Sequence, residues 1–332
     1  MPVMFLPTLF LPTVQFCFPA FSRYAGTVFT LFTIPKAFKG HIGVIQRNAI
    51  GSWAQLARGS EGKSEAAPEI ILFGRDEGTA ELARELGLRH IPDVATNGWG
   101  TPLLDDLFHK AEAAASFPTL AYVNADIILL SDFLRAVRMV QQRMPKSLLV
   151  SKRINLDVPE PLAFESGWED AIKQRAKTTG ADEHYSGIDI FLFPKGMYKE
   201  IPDFAIGRLW FDHWLIKAVR LQRLPVIDAS LVAPLLHQRH DYNHVPGGVA
   251  QVWRGEEAAR NFQLYGGIEH AYTLLDVTHE LTPEGGIRRV RFRKPLFKMK
   301  QFAWKVFVER TAGVRHALGL RRKTLQKSGA SS

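Results

Sequence analysis

The feature that most constrains the fold is a regular alternation of strand-like and helix-like segments between residues 27 and 143. Strand-like runs at 27–34, 69–73, 88–92 and 119–130 are each followed by a segment whose apolar residues recur at helical spacing. This order predicts a mostly parallel sheet with helices on both faces. Ligands of such sheets bind beyond the carboxyl ends of the strands. We therefore expect the chemistry just after Ile34, Phe73 and Val123.

The second half of the chain follows a different pattern. After Ser147 we predict strands at 148–150, 188–193, 226–227 and 231–236, and helices at 168–177 and 211–221. Strands and helices no longer alternate strictly, which is typical of an α+β arrangement.

Positive charge is concentrated at the carboxyl terminus. The whole chain carries a net charge of +9, but residues 287–332 contain fourteen Lys and Arg against one acid, Glu309. The first 286 residues therefore have a net charge of −4, so the basic pI does not indicate nucleic-acid binding by the body of the protein. The basic tail also contains many aromatic residues. This composition suits peripheral contact with an anionic membrane through 287–327, or a solvated or partner-facing tail, and no nucleic-acid partner is expected.

Residues 1–24 form an apolar amino-terminal extension with more than one interpretation. The first 22 residues carry no charge, but Pro7, Pro12 and Pro19 interrupt any spanning helix. A membrane anchor and a loose or artefactual extension both stay open, and a secretory signal is disfavoured because no basic region precedes the stretch. Cys17 is the only cysteine of the chain, which excludes an internal disulfide and fits a reducing, cytoplasmic compartment.

The motif with the clearest chemistry is Asn124-Ala125-Asp126, at the point where the predicted strand 119–130 turns polar. A buried carboxylate needs a partner, and for Asp126 a divalent cation is one candidate. Mg²⁺ and Mn²⁺ take oxygen ligands and bridge diphosphate oxygens. The alternative is that Asp126 only caps the following turn, with Asn124 bonded locally.

In this layout the chain resembles the GT-A fold glycosyltransferases, in which a D-x-D motif ends a central strand and holds a metal ion and a sugar nucleotide. The resemblance implies a Rossmann-like catalytic domain at 25–286, divided into a nucleotide-binding half (25–146) and an acceptor half (147–286). It implies nucleotide-sugar contacts from Thr33, Ile34 and Pro35 after the first strand, and from Asp76 in the turn after the second. One departure is that Asn124 replaces the first motif acid, which removes a negative charge next to Asp126.

The resemblance also implies roles for two acidic residues of the second half. Asp212, in Trp210-Phe211-Asp212-His213-Trp214, is expected to be the general base of an inverting transfer, with helix capping as the alternative. Asp189 competes for a catalytic or sugar-binding role on a strand that lines the same cleft.

A segment rich in histidine follows, 237–244. Its spacing fits no zinc-finger pattern, and in the resembling family a histidine from this region completes the metal shell or contacts the diphosphate. We therefore expect His237 or His240 to do so, with a structural polar loop as the alternative.

Together these observations predict transfer of a sugar from a UDP- or GDP-type donor to a hydroxyl acceptor, with Mn²⁺ or Mg²⁺ as cofactor. If the tail contacts a membrane, the acceptor is expected to be lipid-linked. Two alternatives stay open. One is a sugar-phosphate nucleotidyltransferase of the same fold, although 33–40 lacks the Gly-rich loop such enzymes use. The other is a degenerate binding protein without turnover, which Asn124 favours.

Overall fold

The computed structural model describes residues 29–59, 67–240, 248–266 and 271–291. The predicted extension 1–24 and the basic tail from residue 292 onwards lie outside the described residues, and so does the segment 241–247.

The first half follows the predicted alternation of strands and helices. Its elements are β1 (Thr30–Thr33), α1 (Gly40–Gly59), β2 (Glu69–Phe73), α2 (Thr79–Leu86), β3 (Arg89–Ile91), α3 (Leu104–Ala114), β4 (Thr119–Val123), β5 (Ile127–Ile128) and α4 (Ser131–Arg143). Gly78 and Gly87 flank α2 in the left-handed region, with φ of 90° and 70°. A side chain is strained in that region, so these two glycines set where the short helix begins and ends.

The second half contributes further strands to the same sheet. Its elements are β6 (Leu148–Leu156), α5 (Trp168–Thr179), β7 (Ala181–Asp182), β8 (Ile188–Pro194), α6 (Phe211–Leu221), β9 (Val226–Asp228), β10 (Leu235–Gln238), α7 (Gly248–Arg254), α8 (Glu256–Tyr265), a 3₁₀ turn (Leu274–Asp276), β11 (His279–Leu281) and β12 (Ile287–Arg289). Among the described helices, none is both long and apolar enough to cross a membrane.

The main sheet has the strand order β12-β11-β9-β6-β8-β4-β1-β2-β3. The strands of β4-β1-β2-β3 are parallel to one another, as are those of β6-β9-β11, and β8 runs antiparallel between the two groups. The chain moves outward from β1 through β2 to β3 and then returns to place β4 on the other side of β1. This reversal makes the carboxyl ends of β1 and β4 the switch point at which ligands bind in such sheets.

Alternate residues of each central strand face two separate hydrophobic layers. Leu31 packs with α1, α2 and α4 on one face, while Phe32 packs with α3 and α6 on the other. Helices therefore cover both faces, and the predicted α/β class with its flanked, largely parallel sheet is confirmed.

Three predicted boundaries were wrong, and the first two affect the site. The strand 119–130 stops at Val123, because the chain turns at Asn124, whose carbonyl accepts a hydrogen bond from the Ile127 amide at 3.2 Å. The strand predicted at 148–150 continues to Leu156 as β6. Ile287–Arg289, which the sequence assigned to the basic tail, forms β12 against β11.

Candidate active site

A cavity of about 350 Å³ opens at the switch point between β1 and β4. Most residues predicted for the site line it: Thr33, Ile34, Asn124, Ala125, Asp126, Asp189, Asp212, His237 and His240. Two predicted nucleotide contacts do not. Pro35 is buried, and Asp76 lies exposed in the turn after β2. The structure thus brings together residues that are up to 207 positions apart in the sequence, from Thr33 to His240.

Asp126 lies in the turn between β4 and β5 and faces two histidines. Its Oδ2 is 3.2 Å from Nε2 of His240 and 3.6 Å from Nε2 of His237. Burial disfavours the charged carboxylate, but the electrostatic pull of the two imidazoles and their hydrogen bonds outweigh it. The pKa of Asp126 is therefore held well below its usual range, and the group is an anion at neutral pH.

The backbone around Asp126 is fixed by a buried glutamine. The Asp126 carbonyl accepts hydrogen bonds from the backbone and side-chain amides of Gln238, at 3.2 and 3.1 Å. Gln238 also donates to the Ile45 carbonyl of α1 at 2.7 Å and accepts from Asn48 at 3.0 Å. Because Gln238 is fully buried, this network ties the motif loop, β10 and α1 together and sets the position of the carboxylate.

The cluster of Asp126, His237 and His240 has the composition of a divalent metal site. One ligand atom from each of the three lies within 4.8 Å of the others. The second carboxylate oxygen of Asp126, Oδ1, is buried and finds no hydrogen-bond partner in the part of the chain that the structure describes. An orphaned buried carboxylate oxygen is costly unless a cation or donor satisfies it. The residues present therefore fit a cation held by one carboxylate and two imidazoles.

Asn124 and Asp189 contact each other rather than the histidine cluster. The Asn124 side-chain amide donates to Asp189 Oδ1 at 2.7 Å, and Arg153 approaches Asp189 Oδ2 at 3.1 Å. Asp189 is buried, so the amide and the guanidinium supply the partners that its charge requires. In return, although burial opposes it, the charge of Asp189 raises the pKa of Arg153 above its usual range. Asp189 is therefore engaged by these two side chains, in contrast to Asp212.

Asp212 lies in the first turn of α6 and has a buried carboxylate oxygen, Oδ1, for which the described residues provide no hydrogen-bond partner. The helix begins after Trp210, a residue with φ of 89°. A tryptophan in the left-handed region is strained. Its indole ring packs against Phe262 and Tyr265, with ring centroids 4.9 and 5.1 Å apart. Aromatic packing thus holds the backbone that directs Asp212 towards the cavity.

Cationic residues that the sequence did not single out also line the cavity. Lys36 follows β1, and its backbone is clamped on both sides by the Gln46 side chain, at 2.7 and 2.8 Å. Burial lowers the pKa of Lys36, with opposing contributions from Asp126 and Asp76. Arg208 lies in the loop before α6 and pairs with buried Glu257 at 2.6 Å. The sequence could have indicated Lys36 as a site residue, because it lies just past the first strand. No local pattern indicates Arg208.

Comparison with known proteins gives similarity of fold only. No protein-family model matches the chain, and no curated protein matches it. Among solved structures, it is similar to glucosyl-3-phosphoglycerate synthase from Mycobacterium tuberculosis in complex with Mg²⁺ and uridine diphosphate. The identity is 12%, over 74% of this chain and 82% of that one, with a TM-score of 0.44.

A second similar structure is S. aureus TarS 1–349 in complex with UDP-GlcNAc. It is 14% identical over 64% of this chain and 55% of that one, with a TM-score of 0.37. Because the TM-scores lie below 0.5, a function for this chain has to be inferred from its own site.

Proposed function

We propose that this chain is a metal-assisted glycosyltransferase that moves a sugar from a nucleoside diphosphate donor to a hydroxyl acceptor. The observation that carries the proposal is the pair of orphaned carboxylate oxygens in one cavity. One belongs to Asp126 beside two imidazoles, and the other belongs to Asp212 at the start of α6. Such a transfer needs a cation site for the leaving group and a base for the acceptor.

The donor side of the cavity suits a diphosphate. Asp126, His237 and His240 would hold the metal ion, which when bound would neutralise charge developing on the nucleoside diphosphate leaving group. Lys36 and Arg208 add positive charge in the same cavity. Thr33 and Ile34 line its wall after β1 and would contact the nucleotide. Asp76 does not line the cavity, but it interacts electrostatically with Lys36, which does. This interaction is the support for Asp76 as a proposed nucleoside contact.

Asp212 would act as the general base on the acceptor side. It takes the proton of the acceptor hydroxyl while that oxygen forms a bond to the anomeric carbon and the bond from this carbon to the phosphate oxygen breaks. Asp189, which is neutralised by Arg153 and bonded to Asn124, would position these two side chains and would not take the proton. A base on the face opposite the leaving group inverts the anomeric centre.

The test is a screen of UDP- and GDP-sugars with Mn²⁺ or Mg²⁺ and a panel of hydroxyl acceptors. We expect release of the nucleoside diphosphate and a product whose anomeric configuration, read by NMR, is opposite to that of the donor. Pyrophosphate release from a nucleoside triphosphate and a sugar phosphate would contradict the proposal. So would a failure of every sugar nucleotide to bind. A lipid-linked acceptor and peripheral membrane contact through 287–327 stay predictions, since most of that segment lies outside the described residues.

A further inference from the structure

A continuous chain of polar side chains runs from the motif residue Asn124 to His237. From Asn124 the chain passes to Asp189 (2.7 Å), then to Arg153 (3.1 Å), and from Arg153 to Glu183 (3.2 Å). Asn155 then donates to Glu183 at 2.8 Å and contacts His237 Nδ1 at 2.8 Å. Both Arg153 and Asn155 lie on the part of β6 that the sequence did not predict as a strand.

The donors and acceptors of this chain fix the orientation of Asn155. Burial opposes ionisation of Glu183, but hydrogen bonds from Asn155 and the His184 amide and the charge of Arg153 bring the pKa of Glu183 down to about 2. Glu183 is therefore ionised at neutral pH and can only accept hydrogen bonds. The Asn155 amide nitrogen must face Glu183, and its carbonyl oxygen must face His237 Nδ1.

The orientation of Asn155 in turn fixes the tautomer of His237. A carbonyl oxygen cannot donate, so His237 Nδ1 must carry the proton and donate it to Asn155. Nε2, the atom that faces Asp126, is then the nitrogen whose lone pair would bind a cation, which would take the place of the Nε2 proton. A polar group that fixes the far ring nitrogen is the usual support of a metal-binding histidine.

We propose that Asn155 is a positioning residue which makes His237 a second imidazole ligand beside His240, so that the site selects Mn²⁺ over Mg²⁺. This inference rests on the proposed metal-assisted function. Both ions take oxygen ligands, but Mg²⁺ is a hard ion that binds almost only oxygen, whereas Mn²⁺ is a transition-metal ion that also accepts imidazole nitrogen. In a D-x-D motif the first acid would stand at position 124, but the Asn124 amide is bonded to Asp189. The imidazole of His237 would therefore supply the ligand that this acid does not. A site with one carboxylate and two neutral imidazoles leaves a divalent ion with net positive charge to attract a diphosphate.

The experiment is a calorimetric titration of the full chain with Mn²⁺ and with Mg²⁺, without nucleotide. We expect the parent protein to bind Mn²⁺ at least about tenfold more tightly than Mg²⁺. Asn155→Leu removes the acceptor and should weaken Mn²⁺ binding roughly 10- to 100-fold. In metal-free protein, ¹H–¹⁵N correlation spectra of the His237 ring should show a proton held on Nδ1 in the parent, whereas in Asn155→Leu the proton should no longer be fixed on Nδ1.

Two further variants separate this role from a loss of folding. The double variant Asn155→Asp/Glu183→Gln is isosteric with the parent and keeps an oxygen at position 155 that accepts from His237 Nδ1. Between positions 155 and 183 the hydrogen bond is reversed, because the glutamine amide now donates to the aspartate carboxylate. The double variant should therefore restore Mn²⁺ affinity to within about threefold of the parent. Asn155→Asp alone places two carboxylates together and should not.

A matched control variant is available elsewhere in the chain. Asn97 also donates to a glutamate, Glu257, at 2.7 Å, but it contacts no histidine among the described residues. The Mn²⁺ affinity of Asn97→Leu should therefore equal that of the parent.

The possible failures are distinguishable. If the parent binds Mn²⁺ but Asn155→Leu binds it equally well, or if Mg²⁺ binds as tightly as Mn²⁺, this inference is overturned and the proposed function stands. If the parent binds neither ion, the metal-assisted function fails together with it.

Discussion

The two carboxylates of the cavity, Asp126 and Asp212, are held in place by different kinds of contact. Around Asp126 the supporting side chains are polar, with two imidazoles, a buried glutamine and the Asn155–Glu183 pair. Around Asp212 they are aromatic, with the strained Trp210 packed on Phe262 and Tyr265. A hydrogen-bonded surround orients ligand atoms towards a cation. An aromatic surround fixes the backbone and leaves the carboxylate free to take a proton.

The largest expected effect is from removal of the metal-side carboxylate. Asp126→Ala should lower transfer by roughly 10³-fold, since stabilisation of the leaving group by a metal ion is worth several kcal/mol. The measurement is kcat/KM for the best sugar nucleotide in saturating Mn²⁺. Asp132→Asn, which removes a partly exposed acid paired with Lys173, is the control and should be near parental. Parental activity of Asp126→Ala would refute the assignment of this site.

The next effect tests the acceptor side alone. Asp212→Asn should lower kcat by about 10²- to 10⁴-fold, because a general base contributes that much. The affinity for the nucleotide sugar, measured by calorimetry, should change by less than about threefold, since Asp212 is not expected to touch the donor phosphates. Equal losses in donor affinity and in kcat would place Asp212 on the donor side. The two carboxylates would then not serve different sides of the reaction.

A third prediction concerns the aromatic support of Asp212. Trp210→Ala keeps a residue with a side chain in the left-handed conformation but removes the ring contacts, and should lower the free energy of unfolding by about 2 kcal/mol. The displaced carboxylate should reduce kcat roughly 10- to 100-fold, while Mn²⁺ affinity stays parental. Trp99→Ala is the matched control, since Trp99 is 56% exposed. A loss of Mn²⁺ binding in Trp210→Ala would mean that the two regions are not independently supported.

The smallest effect is a pH dependence of stability on the polar side. The pKa of Glu183 is lowered from 4.5 in the unfolded chain to about 2 in the folded chain. Ionised Glu183 therefore stabilises the fold fully at pH values above about 4.5. That contribution is lost as the pH falls from about 4.5 to 2.

Glu183→Gln should therefore cost on the order of 1 kcal/mol at pH 7, after allowance for partial exposure, and progressively less at lower pH. Urea unfolding of the parent and the variant at several pH values measures this. A stability difference that stays constant from pH 7 to 2 would contradict it.

The sequence predicts the first half of the fold better than the contacts that support the site residues. The apolar run of the predicted strand 119–130, which the polar residues of Asn124-Ala125-Asp126 interrupt, marks Asp126 without knowledge of tertiary contacts, since strand burial gives a local apolar signal. The histidines of 237–240 could be proposed only through the family resemblance. Their approach to Asp126 depends on the pairing of β10 with β5, which joins Ile127 to His237 across 110 residues.

Arg153 and Asn155 could not be predicted, because Ser151-Lys152-Arg153-Ile154-Asn155 has no clear strand pattern. Their strand is specified by pairing with β8, β9 and β10, which the local sequence does not encode. Similarly, the engagement of Asn124 by Asp189 depends on β8 running antiparallel beside β4. Tertiary pairing of this kind overrides local propensity. The sequence predicts the turn that carries Asp76, but not that Asp76 lies outside the lining of the cavity.

The central claim is that Asp126 and its two histidines bind a cation that in turn binds a nucleoside diphosphate. The most direct test is calorimetric titration of UDP and GDP into the parent chain and into His237→Ala/His240→Ala, each with Mn²⁺ and with EDTA. The account predicts that at least one nucleotide binds the parent, that EDTA weakens this binding at least about tenfold, and that Mn²⁺ has no such effect in the double variant. Nucleotide binding that is equally tight with and without Mn²⁺, or no binding to the parent at all, would contradict it.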